Sequence, residues 1–356
     1  MYDLLSLYPE ELAELCESLG EKKYRAGQIF SFLKVGTPPL EMSSLSKPFR
    51  EKLLSLCEWR LPSIERKFVS QTDGTVKYLF RLYDGECIES VFMRYRHGNT
   101  LCISSQVGCR MGCRFCASTL TGRVRDLSAG ELLGQIIAAE KDTGERVSNV
   151  VMMGIGEPLD NYDNVLRFLR LVNHKDGLNI GYRHISLSTS GIVPKILALA
   201  GEDLPITLSV SLHAASDEKR SAIMPINHKW NIGELLSACV SYYKKTQRRI
   251  SFEYTLIRGK NDTAEDARAL AGLLLSHFKP VGAPVHVNLI RVNEVKETGM
   301  ERGSVDSANS FAKVLTDLGV TATVRRRLGA DIDAACGQLR AARMGKTEDK
   351  WNETEK

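Results

Sequence analysis

The chain of 356 residues has no run approaching the ~18 uninterrupted apolar residues of a membrane span, and 43% apolar with 26% charged residues is an ordinary globular balance. A basic stretch followed by an apolar one is also missing at its start. MYDLLSLYPEELAELCESLG is acidic, does not read as a secretory leader, and leads us to expect a cytoplasmic protein. The composition lacks the biases of collagen, disulfide miniproteins and disordered chains. Charge imbalance is slight: 48 basic against 43 acidic residues leave +5, which permits an acidic partner such as RNA without demanding one. Residues 1–90 carry 12 basic and 14 acidic side chains, a net −2, so the positive field lies in the larger C-terminal part. At roughly 150 residues per domain the length suggests about two domains.

What is present begins with helices. Pro9 with Glu10 and Glu11 opens one that Gly20 closes; Tyr24, Ile29, Phe30 and Leu33 mark a second ending near Gly36; Ser46-Lys47-Pro48 begins a third that runs to Leu56. From about Lys67 the period changes to two. Turn signals at Asp73-Gly74, Asp84-Gly85 and His97-Gly98 divide a β-meander ending at Cys102-Ile103-Ser104. An alternation follows, with helices over 128–142, 161–173, 194–200, 232–246, 263–277 and 304–318. Strands fall between them at 148–153, 184–190, 206–212, 250–257, 285–292 and 321–327, and Ser128-x-x-Glu131 is a capping box for the first helix. About six strand–helix units predict an α/β fold with a parallel sheet, a partial (βα)6 TIM-like barrel, with its chemistry at the C-terminal ends of the strands.

Nine cysteines are an odd count, and Cys109, Cys113 and Cys116 crowd into eight residues directly after a predicted strand. In a reducing compartment such a cluster points to metal chemistry rather than disulfides. Three thiolates can hold three corners of an iron–sulfur cubane; structural zinc would require a fourth ligand, for which Cys102 is the candidate. The C-x3-C-x2-C spacing, with Phe115 before the last cysteine, resembles the signature of the radical S-adenosylmethionine (SAM) superfamily. Its flanking residues narrow the match: TLCISSQVGCRMGCRFCAS (100–118), VVMMGIGEPLDN (150–161), SLSTSG (186–191), SVSLHA (209–214), VNLIRVN (287–293) and ADIDAACGQL (330–339) together resemble the RlmN/Cfr family of RNA methyltransferases. The resemblance covers nearly the whole chain.

With that resemblance the domains are expected as a helical N-terminal accessory domain of RNA-binding type over 1–62, the meander over 63–100 and a radical SAM core over 101–343, and the composition of GKTEDKWNETEK makes 344–356 a disordered tail. It implies a [4Fe-4S] cluster on Cys109, Cys113 and Cys116, whose open iron chelates S-adenosyl-L-methionine, and methylation of carbon 2 of an adenosine in 23S rRNA and in tRNA. The Cfr branch, which methylates carbon 8, is the alternative; Pro158 after Gly156-Glu157 fits the carbon-2 branch better. A zinc-dependent RNA-binding module is a remote second alternative. Carbon 2, between two ring nitrogens, cannot attack a sulfonium methyl group, so the family's route is indirect. A thiolate matching Cys336 takes a methyl group from one SAM. A 5′-deoxyadenosyl radical from a second SAM then activates that S-methyl group, and the resulting carbon radical adds to the base. A base matching Glu89 removes the proton, and a thiol matching Cys102 resolves the adduct through a transient Cys102–Cys336 disulfide.

The resemblance also carries over Gly156, Glu157, Ser188, Ser211, Leu212, His213 and Asn293 as SAM contacts, with Gly156 expected to let backbone approach the cofactor. External one-electron and thiol reductants, a monomeric state and no membrane complete the expectation. Three basic groups are candidates for RNA phosphates: Arg94 to His97; Lys244, Lys245, Arg248 and Arg249; and Arg325 to Arg327. Lys22, Lys23 and Arg25 put positive charge on one side of the N-terminal helices, which reads equally as a solvated helix face.

Overall fold

A computed structural model describes residues 1–293, 297–334 and 337–339 and the backbone of 342–343. Cys336 and the tail expected over 344–356 lie outside the described residues. At the N-terminus β1 (Tyr2–Asp3) pairs in parallel with β2 (Cys57–Glu58), enclosing α1 (Pro9–Ser18), α2 (Arg25–Leu33) and α3 (Lys47–Leu56). The meander follows as β3 (Ser63–Val69), β4 (Val76–Arg81), β5 (Glu86–Tyr95) and β6 (Gly98–Cys102), antiparallel throughout. A hairpin absent from the sequence reading, β7 (Gln106–Gly108) with β8 (Arg123–Asp126), then brackets the cysteine loop.

The alternating part consists of α4 (Ala129–Thr143), β9 (Asn149–Met152), α5 (Tyr162–Asn173), β10 (Ile185–Thr189), α6 (Val193–Leu199) and β11 (Thr207–Ser211). It continues through α7 (Asp217–Ile223), α8 (Ile232–Thr246), β12 (Ile250–Leu256), α9 (Ala264–Phe278), β13 (His286–Arg291), α10 (Val305–Asp317) and β14 (Thr321–Val324). The sheet runs β14-β13-β12-β11-β10-β9-β6-β5-β4-β3, and β15 (Ala342–Arg343) adds to β5. Every neighbour from β6 to β14 is parallel, which makes six strand–helix crossovers on an open sheet, the partial barrel expected.

Strand patterning explains why this sheet encloses a site. In a parallel sheet covered on both faces, strands read as continuous apolar runs. Here they alternate. Leu187, Leu208, Val210, Phe252, Tyr254, Val287 and Leu289 are buried under the helices. The intervening positions carry Ser186, Ser188, Ser209, Ser211, Ser251, Glu253 and Asn288. They form a polar floor: the Ser186 and Ser209 hydroxyls lie 3.0 Å apart, and Asn288 Nδ2 donates to Ser251 Oγ at 3.1 Å and to Glu253 Oε1 at 2.9 Å. The predicted capping box forms, Ser128 Oγ accepting from Glu131 N at 3.1 Å and Glu131 Oε2 from Ser128 N at 2.9 Å. The N-terminal helices pack on α4 and α5 as part of the same apolar core, with Ser128 Oγ donating to Asp3 Oδ2 at 2.6 Å and Arg167 gripping both oxygens of Glu11.

Candidate active site

The cysteine loop leaves and rejoins the fold at one neck. Cys109 N donates to Gly122 O at 3.0 Å, and Gly108, at φ +72°, lies so close that a Cβ there would stand 1.7 Å from that oxygen. Cys109 is buried, and Cys113 and Cys116 are partly exposed. All three line a single cavity at the C-terminal ends of the strands. Burial pushes the Cys109 thiol up to about 12 and the Cys113 thiol well above its ordinary value, with the neighbouring thiols and Glu157 adding to both. Three thiolates in this setting require a cationic partner, and an iron cluster supplies one.

The same cavity is lined by Gly156, Glu157, Ser188, Ser211, His213 and Asn293. Glu157 is buried, its carboxyl raised by burial, and its oxygens accept from Leu159 N at 3.0 Å and Ser190 N at 2.7 Å, so it fixes the end of β10 as well as facing the cavity. His213 accepts the Thr255 N–H on Nδ1 at 2.8 Å; burial, with the Arg220 charge adding, pushes its imidazole down to about 3. The ring is therefore neutral at physiological pH, with its remaining proton on Nε2. Phe115, from the cysteine loop, meets it edge-on at 4.8 Å.

A second cavity adjoins the first and shares Met153, Ile290, Asn293 and Arg325 with it. It opens at the side of the barrel, between β5, β6 and β9 on one flank and β13 with the chain beyond β14 on the other. Cys102 lines this second cavity rather than the first, so it is not a fourth ligand beside the three cysteines, which removes the donor set that the zinc alternative required. Val91 pairs directly with Cys102, and Glu89, two residues before Val91, shares its face of β5. Glu89 is 1% exposed and lies 3.4 Å from Lys77 Nζ.

With this geometry in view, residues 103–271 match the radical SAM superfamily and residues 2–58 match the ribosomal RNA large subunit methyltransferase N-terminal domain. A Clostridium botulinum protein described as "Probable dual-specificity RNA methyltransferase RlmN" is 52% identical over 341 residues, 96% of each chain, and one of the same description from Alkaliphilus oremlandii is 52% identical over 95% of this chain and 97% of its own. The chain belongs to the RlmN family. A crystal structure of a radical SAM methyltransferase from Sphaerobacter thermophilus superposes with a TM-score of 0.90 at 41% identity, over 95% of this chain and 99% of that one. As an RlmN family member the chain uses a [4Fe-4S] cluster and S-adenosylmethionine, and three cysteines lining one polar, strand-end cavity fit both.

Other residues expected at the RlmN family site take up defined places in the structure. The Leu212 side chain is fully buried in the core and its carbonyl is taken by Arg220 Nε at 3.1 Å, because alternation along the strand turns this residue away from the cavity. Gly156, at φ +105°, is required by packing: a Cβ would stand 2.7 Å from Gln106 Cβ and 2.8 Å from Gln106 N. Arg94 to His97 span the end of β5 and the turn into β6, where Arg94 is held by Glu145 and by Gly74 O at 2.6 Å while Tyr95 lines the second cavity; Lys244 to Arg249 join α8 to the start of β12, at the end of the strands opposite the cysteine cavity. Lys23 and Arg25 are engaged by Glu17 and Glu21 at 3.3 and 3.7 Å.

Residues that sequence reasoning missed include Arg220 and Glu253. Arg220, on α7 and 1% exposed, ties together Ser190 O, Ser211 O, Leu212 O and Asn227 Oδ1, fixing the ends of β10 and β11 behind the cavity. Glu253 lines the cysteine cavity at 2% exposure; its Oε2 makes no hydrogen bond among the described residues, with Arg325 Nη1 at 3.8 Å. The signal available for Glu253 was the alternation of ISFEYTL, which sets a carboxylate among residues facing the barrel interior.

Proposed function

We propose that the protein methylates carbon 2 of an adenosine in 23S rRNA and in tRNA by way of an S-methyl group carried on Cys336, acting in the cytoplasm as a monomer with external one-electron and thiol reductants. The observation that carries this reading is the pair of adjoining cavities in an RlmN family chain. One is lined by the three cysteines and the polar strand ends; the other contains Cys102; Met153, Ile290, Asn293 and Arg325 form the boundary between them.

When bound at Cys109, Cys113 and Cys116, the cluster supplies the electron that cleaves SAM homolytically and so makes hydrogen removal from an S-methyl group feasible. In the same cavity Gly156, Glu157, Ser188, Ser211 and Asn293 would hold SAM, the polar side chains by hydrogen bonds and Gly156 by leaving its backbone open to close approach. His213, held neutral by burial, offers an Nε2–H donor without adding a charge beside a sulfonium. Glu89 accepts the proton that the adduct must lose, from a buried position on the strand next to that of Cys102. Once the adduct has passed its unpaired electron back to the external one-electron carrier, the Cys102 thiolate attacks the Cys336 sulfur and the S–CH2 bond breaks. Its electron pair stays on the methylene carbon, which takes up a proton to become the methyl group, and the Cys102–Cys336 disulfide left behind is reopened by the external thiol reductant.

Product analysis tests the proposal. Anaerobically reconstituted enzyme with an rRNA fragment, SAM and reductant should yield 2-methyladenosine on digestion and mass spectrometry. Release of 8-methyladenosine, or no methylated adenosine from protein carrying about four irons per chain, overturns it.

A further inference from the structure

The lateral cavity has two unlike walls. On the β5–β6–β9 side Val91, Met93, Tyr95 and Val151 make it apolar around Cys102. Opposite, Arg291, Arg302 and the consecutive Arg325, Arg326 and Arg327 bring five guanidinium groups to the same opening, with no carboxylate among the described lining residues. Two of the five have partners. Arg302 donates Nε to Val292 O at 2.9 Å and Nη2 to Asn293 Oδ1 at 3.4 Å, and Arg325 lies 3.8 Å from Glu253, behind the wall in the neighbouring cavity. The side chains of Arg291, Arg326 and Arg327 make no hydrogen bond or ion pair among the described residues, and the last two residues are exposed.

Like charges gathered without counter-charges repel one another, and surface arginines elsewhere in this chain are commonly paired with Asp or Glu. Guanidinium groups present planar forks that match phosphate oxygens, and a single-stranded nucleotide is recognised by backbone contacts together with an apolar or aromatic surface for its base. We propose that this arginine wall is the phosphate clamp of the RNA site, with Arg291, Arg326 and Arg327 taking the phosphates that flank the reacting adenosine while its base faces the apolar wall and Cys102. The inference rests on the RNA-methylation reading above and adds which end of the barrel, and which side chains, grip the strand. Arg248 and Arg249, at the opposite end of the strands, have no part in it.

The test is the affinity of anaerobically reconstituted protein, with S-adenosylhomocysteine present, for a fluorescent RNA hairpin carrying an unpaired adenosine, measured from 50 to 300 mM KCl. Arg291→Gln is expected to weaken binding roughly tenfold at 100 mM salt and to flatten the slope of log K against log [salt] by about 0.7–0.9, the signature of one lost phosphate contact. Arg326→Gln with Arg327→Gln should flatten it about twice as much, and Arg326→Lys with Arg327→Lys should restore most of the slope. Iron content and affinity for S-adenosylhomocysteine should not change. Arg248→Gln with Arg249→Gln should leave the slope as in the wild type. A wild-type slope in the arginine-wall variants, or a flattened one in the Arg248/Arg249 pair, overturns the clamp while leaving RNA methylation standing. Absence of RNA binding by the wild type, together with no methyladenosine product, overturns both.

Discussion

Two thiols with different tasks should fail differently. Cys102, 6% exposed in the lateral cavity, is proposed to cut an existing link, whereas Cys336 is proposed to form it. Cys102→Ala should therefore accumulate a covalent protein–RNA species on a denaturing gel, and Cys336→Ala should give none; identical behaviour would remove the division of labour. His213 makes a prediction through stability. An unfolded chain protonates this imidazole from about pH 6.5 downward, while the folded chain keeps it neutral to about 3, so the unfolded state holds the extra proton between those limits. Stability from this site thus falls as pH falls, by about 2 kcal/mol at pH 5. The drop in urea midpoint between pH 7 and pH 5 should be smaller for His213→Gln than for the wild type. Parallel drops would show that the site stays accessible to a proton in the folded chain.

The β7–β8 hairpin decides whether three cysteines spaced along a loop become one metal site. Gly108 is its most constrained position: left-handed backbone alone costs an L-residue about 1–2 kcal/mol, and a methyl group would also collide with Gly122 O. Gly108→Ala should keep the helical circular dichroism, since the barrel does not depend on the hairpin, yet bind well below the roughly four irons per chain of a full cluster. Full iron loading would show that the neck is not what aligns the thiols. This hairpin also marks the limit of what the sequence disclosed. Helices and strands from Ala129 to Val324 were legible because long apolar periods and caps such as Ser128-x-x-Glu131 are local signals. Gln106-Val107-Gly108 is too short for a period, and its partner Arg-Val-Arg-Asp looks like a charged loop; only tertiary pairing makes them strands. Likewise α7 has seven residues, and the importance of Arg220 comes from four oxygens gathered from distant parts of the chain. The cluster cysteines were visible because their chemistry is written in spacing, whereas the end of the barrel on which a basic group stands is written in topology.

At the scale of the molecule, an open sheet must hold its two ends at a fixed separation if the lateral cavity is to keep its shape. The chain beyond β14 provides that tie. Asp331 accepts Ser70 Oγ at 2.7 Å and Gln71 N at 2.9 Å, while Asp73 returns the contact by accepting Gly329 N at 2.9 Å, so the β3–β4 turn and the segment after β14 hold each other reciprocally. Farther along, Gly337 O accepts Ala117 N and Leu339 O accepts Ser118 Oγ, both at 2.8 Å, which joins the segment to the cysteine loop before β15 reaches β5. Gly329 and Asp331 are thus fastened to the far end of the sheet, and Gly337 and Leu339 to the loop of the cluster ligands. Asp331→Ala removes two of these ties without touching either cavity. Hydrogen exchange of the 329–334 amides should accelerate at least tenfold while β12 stays protected, because the substitution loosens one connection and not the core. Methylation turnover should fall severalfold with the KM for SAM unchanged, since most SAM contacts sit on strands that remain in place while the loosened segment carries Arg326, Arg327 and Ala334 of the lateral cavity. A change confined to KM would instead place the role of Asp331 in shaping the SAM cavity.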